Sequence, residues 1–273
     1  MKIDYLPDLV PGQTIDLDKF NRPPRLETDK LQQLFKERLA VKSLEYNNQF
    51  GREWLNSDGS VKHFDHPDRA EDERLNAMQE EQWAKEMGKS VEEWRLAKER
   101  APATLTEMAL TILLQRLLPE RFMIVRSSAY DDYNNGVDQL IIDKETGLVV
   151  CGIDEVIENV NKPGPGMKEE KVRNKMLNGG AEVKYGARVV EGELILGDIG
   201  RVPAFYISLS KSDLVKLGAA LAEESPTDFE KALLRDVKAS LQAQARSYGS
   251  LNLSRNLRKS LNTFTATLES WAT

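Results

Sequence analysis

The chain has 273 residues, 40% of them hydrophobic and 30% charged, with a formal net charge of −6. Its apolar share suffices for the core of one large domain or of a core with helical additions, and its negative balance excludes a surface that coats nucleic acid indiscriminately, though not a local basic groove. A single cysteine, Cys151, rules out an internal disulfide and points to a reducing, cytoplasmic setting.

In chain order, the opening MKIDYLPDLVPGQ has no apolar run of the kind a secretory signal needs. Residues 1–26, rich in proline and aspartate, read as an extended arm. A helix is expected from Thr28 or Asp29, with Leu31, Leu34, Phe35 and Leu39 on one face. NSDGSVKHFDHPD reads as a loop, and 68–87 as a strongly charged helix stopped by Gly88. Ser90 and Glu93 have capping-box spacing and open a short helix with Val91 and Trp94. Thr104 and Glu107 repeat that spacing ahead of Leu105, Met108, Ala109, Ile112, Leu113 and Leu117. Leu110, Leu114 and Leu118 make this helix apolar nearly all round, so it should be buried, and Pro119 ends it. It is too short for a bilayer and carries Gln115 and Arg116, so no membrane association is expected.

Strands follow: RFMIVRSSAY, then a DDYNNG loop, then the ribbon GVDQLIIDKETGLVVCGIDEV with KETG at its turn. KPGPG breaks the chain before a polar helix, about 167–177, that ends at Gly179-Gly180. AEVKYGARVV, ELILGDI and AFYISLS read as three further strands. Ser212 introduces a helix with Leu214, Leu217 and Leu221, and Ser225-Pro226 another with Phe229, Leu233, Val237 and Leu241. SYGSLN separates that helix from a last one reaching about Trp271. The expected fold is α/β: a mixed central sheet in αβββαβ order, flanked by helical N- and C-terminal segments. The expected units are an arm and helical region over 1–102, the α/β core over 103–223 and basic helices over 224–273.

The ribbon gathers acids at one end. With a four-residue turn Asp143 faces Leu148 and Asp138 faces Ile153, so Asp138 and Glu155 share a side. With one more turn residue Asp154 takes the place of Glu155 beside Asp138. Carboxylates that close raise one another's pKa unless a cation lies between them, and oxygen ligands suit a hard ion such as Mg²⁺ or Mn²⁺. The plainer reading is that strand ends meet solvent, where acids are ordinary. DDYNNG is not an EF-hand loop, because its third and twelfth positions are Tyr133 and Ile142.

The order buried helix, strand, strand with Asp138, strand with Asp154-Glu155, helix, strand resembles the core of the PD-(D/E)XK nuclease superfamily over residues 103 to about 190. The resemblance implies metal ligands at Asp138 and at Asp154 or Glu155, a catalytic acid on the helix at Glu107, and a lysine two residues after the strand acid. That position holds Val156 or Ile157 instead. Lys184, in a literal E-x-K with Glu182, is the leading substitute, and Lys171 and Lys175 are the others. A capping role is the plainer expectation for Glu107. Arg126 is a candidate phosphate contact, or a partner of Asp131 or Asp132. Arg255, Arg258 and Lys259, on the basic C-terminal helices, are candidates for the backbone of a nucleic acid or for pairing with the acidic 65–99 segment. His63 and His66 in HFDH lack the register of a zinc site.

The expectation is a Mg²⁺- or Mn²⁺-dependent nuclease-like protein hydrolysing nucleic-acid phosphodiesters. The alternative is a noncatalytic interaction protein that uses its helical ends to bind a copy of itself or another protein.

Overall fold

A helix with no polar face needs cover on all sides, and α4 (Pro102–Leu117) has it, with ten of its residues buried. In the computed structural model, which describes residues 28–64, 66–157 and 166–271, this helix is the axis of the core. The arm expected over 1–26 lies outside the described residues. Helix α1 (Thr28–Gln49) packs on α4 and buries Phe35 and Leu39 completely. Two polar helices come between, α2 (Arg69–Glu86) and α3 (Val91–Glu99). Ser90 and Glu93 close the expected capping box at the start of α3.

Pro119 ends α4 as expected, and three antiparallel strands follow: β1 (Phe122–Arg126), β2 (Gln139–Asp143) and β3 (Leu148–Ile157). Helix α5 (Gly166–Leu177) then intervenes. Next come β4 (Ala181–Val183), β5 (Gly186–Val190), β6 (Glu193–Gly197), β7 (Gly200–Val202) and β8 (Ala204–Leu209). The central sheet has the order β1-β2-β3-β8, with β8 parallel to β3, while β4 with β7 and β5 with β6 form separate two-stranded ribbons. The architecture is the mixed α/β sheet flanked by helices that the sequence predicts.

Its fourth strand is not the expected one. AEVKYGARVV divides at Lys184-Tyr185, because the buried Asp131 carboxylate accepts both of their backbone N–H groups, at 2.8 and 3.0 Å. Those groups are lost to any ladder, and AFYISLS takes the place beside β3. The turn DDYNNG is also more ordered than a loop: Asp131–Asn135 is a π-helical turn closed by left-handed Gly136.

Three helices complete the chain: α6 (Lys211–Ala222), α7 (Asp228–Gly249) and α8 (Arg255–Glu269). Helix α7 starts later than Ser225-Pro226 predicts, since Thr227 and Glu230 form a full capping box there. Helices α5 and α7 pack on β8, and α8 on β3. The hydrophobic core runs from Phe35 to Trp271, yet between Phe64 and Leu105 no described residue belongs to it. Among the described residues no helix is long and apolar enough to cross a membrane.

The hairpin turn supplies a stability prediction. Gly147 has φ +72° and a Cβ there would lie 1.9 Å from the Val189 carbonyl oxygen. Gly147→Ala is therefore expected to cost at least about 2 kcal/mol in urea unfolding, from positive φ and the clash with backbone.

Candidate functional site: an acidic cleft at the end of the hairpin

Register places the acids. The hairpin starts as expected with Asp143 opposite Leu148, slips between Ile141 and Ile142, and so sets Gln139 opposite Ile153. Asp138 then donates its own N–H to the Ile153 carbonyl at 2.8 Å, so two consecutive residues address one partner, as at a β-bulge. The Asp138 carboxylate folds back to accept the Glu155 backbone N–H at 2.7 Å. This hydrogen bond brings Asp138 and Glu155 together at one sheet end, although Gln139, and not Asp138 as the four-residue turn predicts, is the residue paired with Ile153.

Helix α4 adds Glu107. The expected capping box is absent: Pro102 at the first helical turn starts the helix, Ala101 is the N-cap, and Thr104 lies inside it. The Glu107 carboxylate is thus available to Arg126, whose guanidinium meets it at 2.9 Å and Asp58 at 3.1 Å. Arg126 is therefore a clamp between two acids, and Asp131 and Asp132 are not its partners; Lys98 takes Asp132 at 3.1 Å. Glu107, Arg126, Asp132 and Asp138 line one cleft of about 230 Å³, walled by Trp94, Arg95, Lys98 and Glu99 of α3.

Electrostatics are unbalanced at the cleft, which Asp138 and Glu107 line, and behind it, where Glu155 is buried beside Asp138 without lining the cleft. Burial, then the charges of Glu107, Asp154 and Asp132, push Asp138 well above the usual carboxylate range. Burial, then Asp138, does the same to Glu155. Burial also raises Glu107, against the opposing pull of Arg126. Both Glu155 carboxylate oxygens are buried without a hydrogen-bond partner. Such a group is a place where a proton or a cation belongs.

Asp154 is served from the crossover helix. Its carboxylate pairs with the Lys168 ammonium and lies 3.8 Å from that of Lys175, which also donates to the Gly136 carbonyl at 2.5 Å. Lys175 was the lesser expectation and Lys168 no expectation at all. A lysine on a helix packed against a sheet end leaves no fixed spacing to the strand acids, so no motif could reveal it.

Lys184 does not reach this cluster. Its ammonium pairs with Asp72 at 2.6 Å and Asp68 at 3.0 Å, because β4 pairs with β7 and not with the central sheet. Lys171 has no ion pair with the cluster acids, and like Lys168 and Lys175 it does not line the cleft. The C-terminal cations are also placed elsewhere. Arg258 donates to the carbonyls of Gly249, the last residue of α7, and of Leu251 just beyond it, at 3.1 and 2.9 Å, and Lys259 lies by Leu148–Val150, the far end of β3 from Asp154 and Glu155. Arg255 opens α8. None of the three lines the cleft, and the ion pairs described for the 65–99 segment do not involve them. His63 and His66 stand around the Tyr185 ring, at 4.5 and 5.6 Å between centroids.

The raised carboxylates fix a pH dependence. Below about pH 4 both folded and unfolded chains hold the Glu155 proton; above it the unfolded chain releases it first, at its ordinary pKa. The folded state then binds more protons, so stability falls as pH rises towards the folded-state pKa. Glu155→Gln is expected to flatten this slope, and by pH 8 to be more stable than the parent by roughly 1–3 kcal/mol. Denaturant unfolding at pH 5 and pH 8 measures the difference.

Among the described residues no group of three or more histidine, cysteine, aspartate or glutamate side chains is gathered closely enough to hold a metal ion. An all-protein cage is thereby absent from that part of the chain. A comparison of the chain with protein-family models, with curated proteins and with solved structures finds no match in any of the three.

Proposed function

We propose that the cleft is the site of a metal-dependent phosphodiester hydrolase of the PD-(D/E)XK type, acting on nucleic acid. The observation that carries this reading is the Asp138–Glu155 pair, two buried acids at the sheet end, one with both oxygens lacking a partner. A Mg²⁺ or Mn²⁺ ion fits this donor set, since Mg²⁺ is commonly held by one or two carboxylates, with water and substrate phosphate supplying the rest. Bound there, the ion would lower the pKa of a water and polarise the scissile phosphate. Topology adds support, with β1, β2 and β3 antiparallel, β8 parallel to β3 through the α5 crossover, and the acidic helix α4 ahead of them.

The chain's own residues have distinct parts in this reading. Asp138 and Glu155 would hold the ion. Glu107 faces the same space and is kept in place by Arg126. Lys168 and Lys175 supply the positive charge that the strand positions Val156 and Ile157 lack, and are suited to the charge that develops on a phosphate oxygen. Arg126, enclosed by Glu107 and Asp58, is a positioning residue rather than a phosphate contact.

One observation favours the noncatalytic reading: Asp154 already has Lys168 and Lys175 as counter-ions, so this acid has a structural explanation. Activity separates the two. Labelled single- and double-stranded DNA and RNA, incubated with the protein and Mg²⁺ or Mn²⁺, should be cut by the parent and not in EDTA. Lys168→Ala should slow cutting about 100-fold or more. A parent that cuts none of the four with either ion contradicts the enzyme and leaves a structural sheet.

A further inference from the structure

We infer that residues 68–100, helices α2 and α3, form a lid over the acidic cleft, latched by the Lys184 ammonium. Three observations carry this. First, no described residue between Phe64 and Leu105 enters the main core, and the ring contact from the pair to the body is Trp83 on Tyr133 at 5.1 Å, so its apolar anchorage is small beside that of the other helices. Second, the fully covered side chains of α2 are Asp72, Asn76 and Ala84, two of them polar. A helix without an apolar stripe gains little from burial, and its docking depends on polar contacts. Those contacts run along its length: Lys184 and the Tyr185 hydroxyl to Asp72, both at 2.6 Å, Asn134 to Asn76 at 3.1 Å, and the Tyr133 hydroxyl to Glu80 at 2.8 Å. Third, α3 supplies a wall of the cleft that contains Glu107 and Asp138, so opening would uncover both.

The two helices are joined to each other, and α3 is tied to the body by Lys98 to Asp132 at 3.1 Å and by Lys36 to Glu99 at 2.8 Å. Trp83 stacks on Trp94 at 5.5 Å between ring centroids, and Arg95 pairs with Glu80 at 2.6 Å. They are therefore built to move together. At the α2 end, Asp68 and Asp72 converge on one lysine, which makes that lysine the latch of this end of the segment. Segments of this kind, with few buried apolar contacts, open at lower free energy than the core does. The motion is independent of the chemistry proposed above, whereas a gating role rests on that reading.

Hydrogen exchange followed by mass spectrometry tests the motion without any assay of cleavage. Lys184→Met is expected to speed exchange of amides in 69–99 at least tenfold and to leave 105–117 and 139–143 unchanged. Asp68→Asn, which removes the exposed half of the latch, should give a smaller acceleration in the same segment and serves if Lys184→Met does not fold. Acceleration spread evenly over the chain, or none in 69–99, overturns the lid. Gating is read separately, from the rate at which Mn²⁺ quenches tryptophan fluorescence. A faster approach in Lys184→Met supports it, and an unchanged rate alongside faster exchange overturns the gate.

Discussion

Arg126→Met should lower the unfolding free energy by about 3–5 kcal/mol, the usual loss when one member of a buried ion pair is removed. The guanidinium is buried and bonded to both Glu107 and Asp58. Burial alone would lower its pKa, but the two carboxylates outweigh that and raise it. Methionine fills much of the volume but leaves Glu107 facing Asp138 and Asp132 with its counter-ion gone. Adding Glu107→Gln should recover part of the loss, because the second change removes the stranded charge. Urea unfolding of the single and double variants gives the numbers. A loss below about 1 kcal/mol for Arg126→Met would mean that solvent reaches the cluster and the clamp is slack.

Asp138→Asn should do two opposite things. Any Mg²⁺-dependent cleavage should fall by about a hundred- to a thousandfold or more, because the pair proposed to hold the ion loses a charge. The metal-free protein should at the same time become more stable near pH 8, since the buried charge of Asp138, which Glu107 and Asp154 also oppose, disappears and Glu155 loses a charged neighbour. Opposed effects on function and stability are the mark of a site held against its own electrostatics. Cleavage rates and denaturant midpoints on one preparation test both. Lower stability in the variant at pH 8 would show instead that Asp138 serves mainly to hold the Glu155 N–H.

Much of this arrangement was legible in the residues. The nearly all-apolar stretch from Leu105 to Leu118 required a buried helix, and α4 is one. Alternation and the KETG turn set the acids of the hairpin together, although two offsets in the ladder intervene between turn and site. What escaped was tertiary in origin. The T-x-x-E spacing at Thr104 has a local meaning that Pro102 overrides, and only the distant Arg126 gives Glu107 its partner. AEVKYGARVV has strand composition throughout, yet one buried carboxylate, Asp131, takes the two N–H groups at its middle and divides it. Lys184 sits in a literal E-x-K, but its neighbours in space are Asp68 and Asp72, more than a hundred residues earlier. Local pattern could place the acids because they belong to one hairpin; it could not place cations that reach the acids from other elements.

Isothermal titration of the parent and Asp138→Asn with Mn²⁺, in two buffers of different ionisation enthalpy, tests the proposed cation site most directly. Binding should displace protons held by the raised carboxylates, so the parent's heat should depend on the buffer and its affinity should rise with pH. Saturation at about a hundredfold excess over Kd should stabilise the fold by about 2.7 kcal/mol. Asp138→Asn should give no such heat. Equal binding by both proteins, or no binding by the parent at millimolar Mn²⁺, would contradict a cation site at Asp138 and Glu155.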